Sequence, residues 1–196
     1  MKRNEMIRIE ETLSVLIGKP MRLLRRVGAG FAADFGELVD VDGIARRDES
    51  GQLVRDNEGK VIFESNVRGK YALDALCSVR FTCGDEVIFA KSDMFLPIEA
   101  IARQPDFVWD TFDWHVRGNN AFDEIVAKHF RGEFDEYVVK SVKVNKFGDF
   151  TITFENGFML EFFADGSGLS ENWRFGEINS TASLIVTSKG ILDELT

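Results

Sequence analysis

From residue 150 to residue 162 the large apolar side chains keep one parity: Phe150, Ile152 and Phe154, then, across Asn156-Gly157, Phe158, Leu160 and Phe162. A period of two places them all on one face of a pleated ribbon. Asn-Gly is the strongest short hairpin signal, because a two-residue type I′ turn needs positive φ at both central positions. A hairpin with one apolar face is unstable alone, so this segment commits the chain to antiparallel sheet packed on another layer. The pattern also recurs. Shifted by 73 residues, Val79-x-Phe81-x-x-Gly84-x-x-Val87-x-Phe89 aligns with Ile152-x-Phe154-x-x-Gly157-x-x-Leu160-x-Phe162. The shared parity and the shared turn glycine predict two related lobes. We place an N-terminal α+β lobe at 1–100, an aromatic and acidic linker at 101–118 and a C-terminal α+β lobe at 119–196.

Helical spacing of Met6, Ile9, Leu13, Leu16 and Ile17 predicts an amphipathic helix over 5–17 that Gly18 ends. Phe122, Ile125, Val126, His129 and Phe130 predict another over 121–131, capped by Asn119 or Asn120 and closed by Gly132. A single helical turn is expected over 98–102. Strands are expected at 21–27 and 31–41, joined at Gly28-Ala29-Gly30, and a meander at 61–63, 71–82 and 86–91. Residues 42–60 read as a polar loop or protruding hairpin with a short strand at Gln52-Leu53-Val54, and further strands are expected at 138–144, 173–175 and 182–187. The fold class is therefore α+β, mainly antiparallel sheet with two or three helices.

A length of 196 residues suits one domain or two small ones, and 24 Lys and Arg against 33 Asp and Glu leave a net charge of −9. An acidic chain lacks the basic surface that phosphate binding requires, so nucleic acid is not an expected partner. The 18 Phe against 2 Tyr point to dry core packing. No secretory h-region is present, and the longest uncharged stretch, Ile178–Ser188, is 11 residues against the roughly 20 a bilayer crossing needs. We expect a cytoplasmic protein with no membrane contact. Cys77 and Cys83 are too few for a disulfide framework, and their spacing fits no common zinc pattern, so reduced thiols on a strand are expected.

Most catalytic chemistries fail on context. Gly28-Ala29-Gly30-Phe31-Ala32-Ala33 fits a dinucleotide fingerprint but leads into a strand-like run instead of a helix, so the glycines read as a turn. Asp34-Phe35-Gly36 lacks every companion motif of a kinase. Only His115 and His129 could serve a nucleophilic site, and His129 falls on an apolar helix face. Asp110, Asp113 and His115 lie within six residues and could hold a divalent ion if the loop wrapped round it, although a solvated acidic loop is the simpler reading. No carboxylate pair stands out. We expect no cofactor, no metal and no catalytic residues.

The candidate binding residues are Trp109, Asp110, Asp113, Trp114 and His115 in the linker, with Glu171, Trp173 and Arg174 near the end. Phe107, Trp109, Phe112 and Trp114 among Asp106, Asp110 and Asp113 read either as interface anchors for a basic partner or as a hydrophobic seal between lobes. Glu171-Asn172-Trp173-Arg174-Phe175 reads as an edge strand whose Trp closes the sheet, with Glu171 and Arg174 as recognition residues in the functional alternative. The order of a short amphipathic helix, the segment Ile17-Gly18-Lys19-Pro20, an F-x-x-G hairpin and the Trp173-Arg174 pair resembles small bacterial proteins, some encoded beside polymorphic toxins as their immunity partners. That resemblance implies a non-enzymatic, protein-binding role. The expected partner is a basic protein, and a homodimer is compatible with the same surface. The alternative is a small-ligand or metal-binding protein, or an enzyme, with its site between the lobes.

Overall fold

The computed structural model describes residues 1–46 and 52–192. Helix α1 (Arg3–Leu13) and a 3-10 turn (Ser14–Leu16) precede β1 (Met21–Val27), β2 (Gly30–Ala45), β3 (Phe63–Ala75), β4 (Ser78–Cys83) and β5 (Glu86–Ala90). After a 3-10 turn at Lys91–Phe95 come α2 (Glu99–Ala102), a second such turn at Trp109–Thr111 and α3 (Ala121–Phe130). The chain closes with β6 (Val139–Val144), β7 (Phe150–Phe154), β8 (Phe158–Phe163), β9 (Glu171–Glu177), β10 (Ser183–Thr187) and β11 (Gly190–Leu192). The result is an α+β fold of two antiparallel sheets, ordered β1-β2-β3-β9-β10-β11 and β5-β4-β8-β7-β6.

Each sheet draws strands from both halves of the sequence. In the first, Leu73 and Ala75 of β3 face Phe175 and Trp173 of β9. In the second, Phe81 of β4 faces Leu160 of β8. The buried side chains form one continuous cluster. The segments expected as an N-terminal and a C-terminal lobe thus share both sheets and one core. The two repeated hairpins lie side by side within the second sheet, each displaced by two strands from the other. Their likeness is that of neighbouring ribbons facing the same core, with Phe81, Phe89, Phe154 and Phe162 all buried.

The expected strand at 71–82 is broken at Leu76-Cys77, whose N–H groups both donate to the Asn172 carbonyl, at 2.8 and 3.0 Å. At this corner the chain leaves the first sheet for the second. Segment 18–20 is bound to the start of β6, with Gly18 N–H on Val139 O at 2.8 Å and Pro20 bridged to Val138. The other end of β1 reaches α3 through Arg26 and Asp123, and α3 packs Phe122 on Phe89 of β5. Since β6 and β5 are opposite edges of the second sheet, β1 crosses that sheet, a crossed packing of layers.

Residues alternate in and out along each strand, so one cross-strand rung of the first sheet is wholly apolar, Leu24-Ala33-Leu73-Phe175-Leu184, while the next carries the charged side chains Arg25, Asp74 and Arg174 beside Ala32 and Ile185. Phe31 joins the layers by meeting Phe89, Phe122 and Phe162 at ring-centroid distances of 6.2, 6.3 and 5.8 Å. Each such aromatic pair adds roughly 0.5–1.5 kcal/mol beyond the area it buries. Helix α1 buries Ile9 and Leu13 beside β6, and its Glu5 Oε1 accepts from Ile191 N–H of β11. It thereby covers the gap between the sheets opposite α3. Among the described residues no helix is long and apolar enough to cross a membrane.

Candidate functional site

The expected linker is a closed excursion. Ala121 N–H donates to Leu96 O at 2.8 Å and Ile98 N–H to Asn119 O at 2.9 Å, with Pro97 bridged to Asn120. Residues 98–119 thus leave and return through one gate. Apart from the single turn of α2 and the 3-10 turn at Trp109–Thr111 the excursion is irregular, and long irregular connections in compact domains are usually functional.

The gate is held by three polar side chains. Asn120 caps α3, its Oδ1 accepting from Asp123 N–H at 2.9 Å, while its Nδ2 donates to Trp114 O and to Asp123 Oδ2 at 3.1 and 3.0 Å. Arg26 forks onto Asp123, with Nε 3.0 Å from Oδ1 and Nη2 3.0 Å from Oδ2, and also donates through Nη2 to His115 O at 2.8 Å. Gly118 N–H adds a further bond to Asp123 Oδ2 at 2.9 Å. Burial opposes the charge on Asp123, yet Arg26, the Gly118 N–H and Asn120 together hold its carboxyl below the usual carboxylate range. The returning arm of the excursion is therefore fastened to both β1 and α3.

What this anchor presents is aromatic. Phe107, Trp109 and Phe112 meet at centroid distances of 5.3, 6.1 and 6.4 Å, their planes inclined by 60 to 86°. Trp114 packs edge-on against Phe95 at 4.9 Å and stacks on His115 at 3.6 Å. Trp109 is 60 % exposed, and Phe95, Leu96, Val108 and Val116 are exposed by 40 to 52 %. The neighbouring corner contributes exposed Val27 and Leu76. The Leu76 carbonyl accepts from Lys91 Nζ in the turn that leads into the excursion. Exposed aromatic and aliphatic side chains gathered along one anchored excursion make it the candidate interaction surface.

Of the residues expected to bind, Trp109, Asp110, Asp113, Trp114 and His115 fall together on this excursion. Asp113 Oδ1 accepts from His115 N–H at 2.9 Å, but among the described residues no three His, Cys, Asp or Glu side chains converge as metal ligands. Asp106 and Asp110 take part in no ion pair among the described residues. Trp173, by contrast, is fully buried, donates Nε1–H to Gly148 O at 3.0 Å and packs on Phe150 at 4.7 Å. Its strand, β9, is interior to the first sheet, which corrects the edge-strand expectation; the preceding Asn172 pins the corner of β3 and β4. Glu171 and Arg174 form a forked ion pair, with Arg174 Nε 2.7 Å from Oε1.

Arg174 also borders an open cleft of about 250 Å³ with Ala72, Asp74, Gly176, Glu177 and Ser183. Burial raises the Asp74 carboxyl against the opposing pull of Arg68, Arg25 and Arg174. Asp34, fully buried, is held by Arg68 in a two-pronged pair at 2.8 and 2.6 Å, a structural use of the kinase-like tripeptide. Gly28 and Gly30 frame the turn between β1 and β2 and lead into a strand, so they open no helix. Burial pushes the Cys77 thiol up to about 12, so it is no nucleophile. His129 is packed among Phe81, Phe130 and Phe158, with Nε2 3.1 Å from the Tyr137 hydroxyl.

Sequence reasoning missed Arg26, Asn120 and Asp123 as site-forming residues. The spacing Asn120-x-x-Asp123 was a usable signal, a cap followed three residues later by an acid. Arg26 carried none, because its partner lies 97 residues away. No protein family, curated protein or solved structure matches the chain.

Proposed function

We propose that this is a non-enzymatic protein-binding module whose docking surface is the aromatic excursion, in its most specific form a cytoplasmic bacterial immunity protein that neutralises a basic toxin. One observation carries the reading: Trp109, 60 % exposed, stands on a loop whose ends are fastened by hydrogen bonds. An apolar anchor held in place loses little freedom on binding, and Trp is enriched among residues that dominate binding energy. The net charge of −9 would speed encounter with a basic partner and make the on-rate fall with salt.

The test uses tagged wild-type protein and the Trp109→Ala variant as baits in host lysate at low and moderate salt. A near-stoichiometric basic protein held by the wild type, released as salt rises and lost with Trp109→Ala, is the expected result. Identical capture by both baits would remove the excursion from the interface. A second reading, a small polar ligand in the Asp74 cleft, is favoured by the half-buried carboxyl of Asp74 there. A ligand at 100 times its Kd would add about 2.7 kcal/mol of stability, so a thermal-shift screen with amines and sugars separates the two.

A further inference from the structure

We propose that Trp109 receives a guanidinium group, the side chain of an arginine on the partner, which stacks on the indole and pairs with Asp110 or Asp106. This deepens the docking reading above and rests on it. Trp109 is 60 % exposed, so much of its indole is open to solvent. Phe107 and Phe112 meet the ring at 76° and 86° and hold it in place. The cation–π contacts among the described residues involve the rings of Tyr71, Phe163 and Phe147, so the Trp109 face holds no internal cation. Of the cations on or beside the excursion, Arg103 pairs with Glu99 and Arg26 with Asp123, and Arg117 makes no cation–π contact with Trp109 among the described residues.

The charge around the indole selects the partner. Asp106, Asp110 and Asp113 are all exposed and would repel an anionic surface. A wholly apolar one would desolvate them without compensation. A cation on an apolar stem satisfies both the ring and the acids, and Trp is the best aromatic acceptor for it. Arginine fits better than lysine because its planar guanidinium stacks flat while its N–H fork engages a carboxylate.

The probes are hexa-arginine and hexa-lysine peptides of equal charge, titrated at low salt by calorimetry. Hexa-arginine should bind more tightly than hexa-lysine. Trp109→Ala, which leaves net charge unchanged, should weaken hexa-arginine by about tenfold, with Trp109→Phe between. Asp110→Asn should weaken both peptides. Circular dichroism checks that each variant is folded. Equal affinity of wild type and Trp109→Ala for hexa-arginine would overturn the inference and leave bulk charge as the whole attraction. If lysate capture still depends on Trp109 in that case, the docking reading survives alone. If peptide binding depends on Trp109 and lysate capture does not, the guanidinium site stands and the docking reading falls.

Discussion

Asp123 accepts hydrogen bonds from Arg26, Gly118 and Asn120, and so ties β1, the excursion and α3 to one carboxylate. Both members of its ion pair are mostly buried, at 12 % and 15 % exposure. Asp123→Ala would strand the guanidinium of Arg26, and a loss of about 2–4 kcal/mol is expected in urea unfolding. The pH dependence follows from the direction of the shift. A carboxyl held below its unfolded value, near 3.9, contributes stability that is complete above that pH and is lost as pH falls through the folded value. The stability gap between wild type and Asp123→Asn should therefore be constant near neutrality and shrink in acid. Asp74 has the opposite sign, because burial raises it. Its charge opposes folding once pH exceeds the unfolded value. Asp74→Asn should be at least as stable as wild type at pH 7, an advantage that disappears below about pH 4; melting temperatures at the two pH values check this. Both effects depend on neighbours brought in by other strands, which is why the sequence marks neither residue, whereas Trp109 and Asp110 were visible as members of a dense aromatic and acidic string.

At the scale of elements, periodicity located nearly every strand and both long helices, because alternation and helical spacing are local properties. What it could not supply was pairing. The hairpin at 150–163 illustrates the limit. Asn156-Gly157 does mark its turn, but Gly157 alone has positive φ, at +89°, and its N–H bonds to Phe154 O at 3.1 Å. The loop is a three-residue turn with a glycine bulge in place of the two-residue form. Gly84 supplies positive φ, +57°, in the companion hairpin. Another glycine is fixed by contact. A Cβ on Gly69 would lie 2.7 Å from Phe35 N and 2.8 Å from Phe35 O, where the pairing of β2 and β3 shifts register between Phe35 and Leu38. Backbone cannot yield as a side-chain tip can, so Gly69→Ala should cost about 2 kcal/mol, read as a lower urea midpoint. Gly168→Ala, at a site without positive φ where a Cβ would meet nothing closer than Ser170 N at 4.0 Å, controls for chain entropy. The short edge strand β11 escaped notice because three residues are too few to show a period.

For the molecule as a whole, the expected division near residue 118 meets two sheets that both cross it. β3 pairs with β9 and β4 with β8, so neither half contains a complete sheet. Unfolding should be a single transition, with near-ultraviolet and far-ultraviolet signals coincident in urea. Fragments 1–118 and 119–196 expressed apart should lack fixed structure. Two separate transitions, or a folded fragment, would restore the picture of independent lobes. The repeat remains physically meaningful as two ribbons placed side by side, and sequence comparison of hairpins cannot distinguish that from two lobes, because either arrangement buries the same parity. The interleaving also sets a timetable for the nascent chain. When Ala75 and Cys83 leave the ribosome, the strands they end await partners that begin at Glu171 and Phe158. At roughly 5–20 residues per second, those open edges wait on the order of 5–20 s, the interval in which a chaperone guarding bare strand edges would decide between native pairing and aggregation.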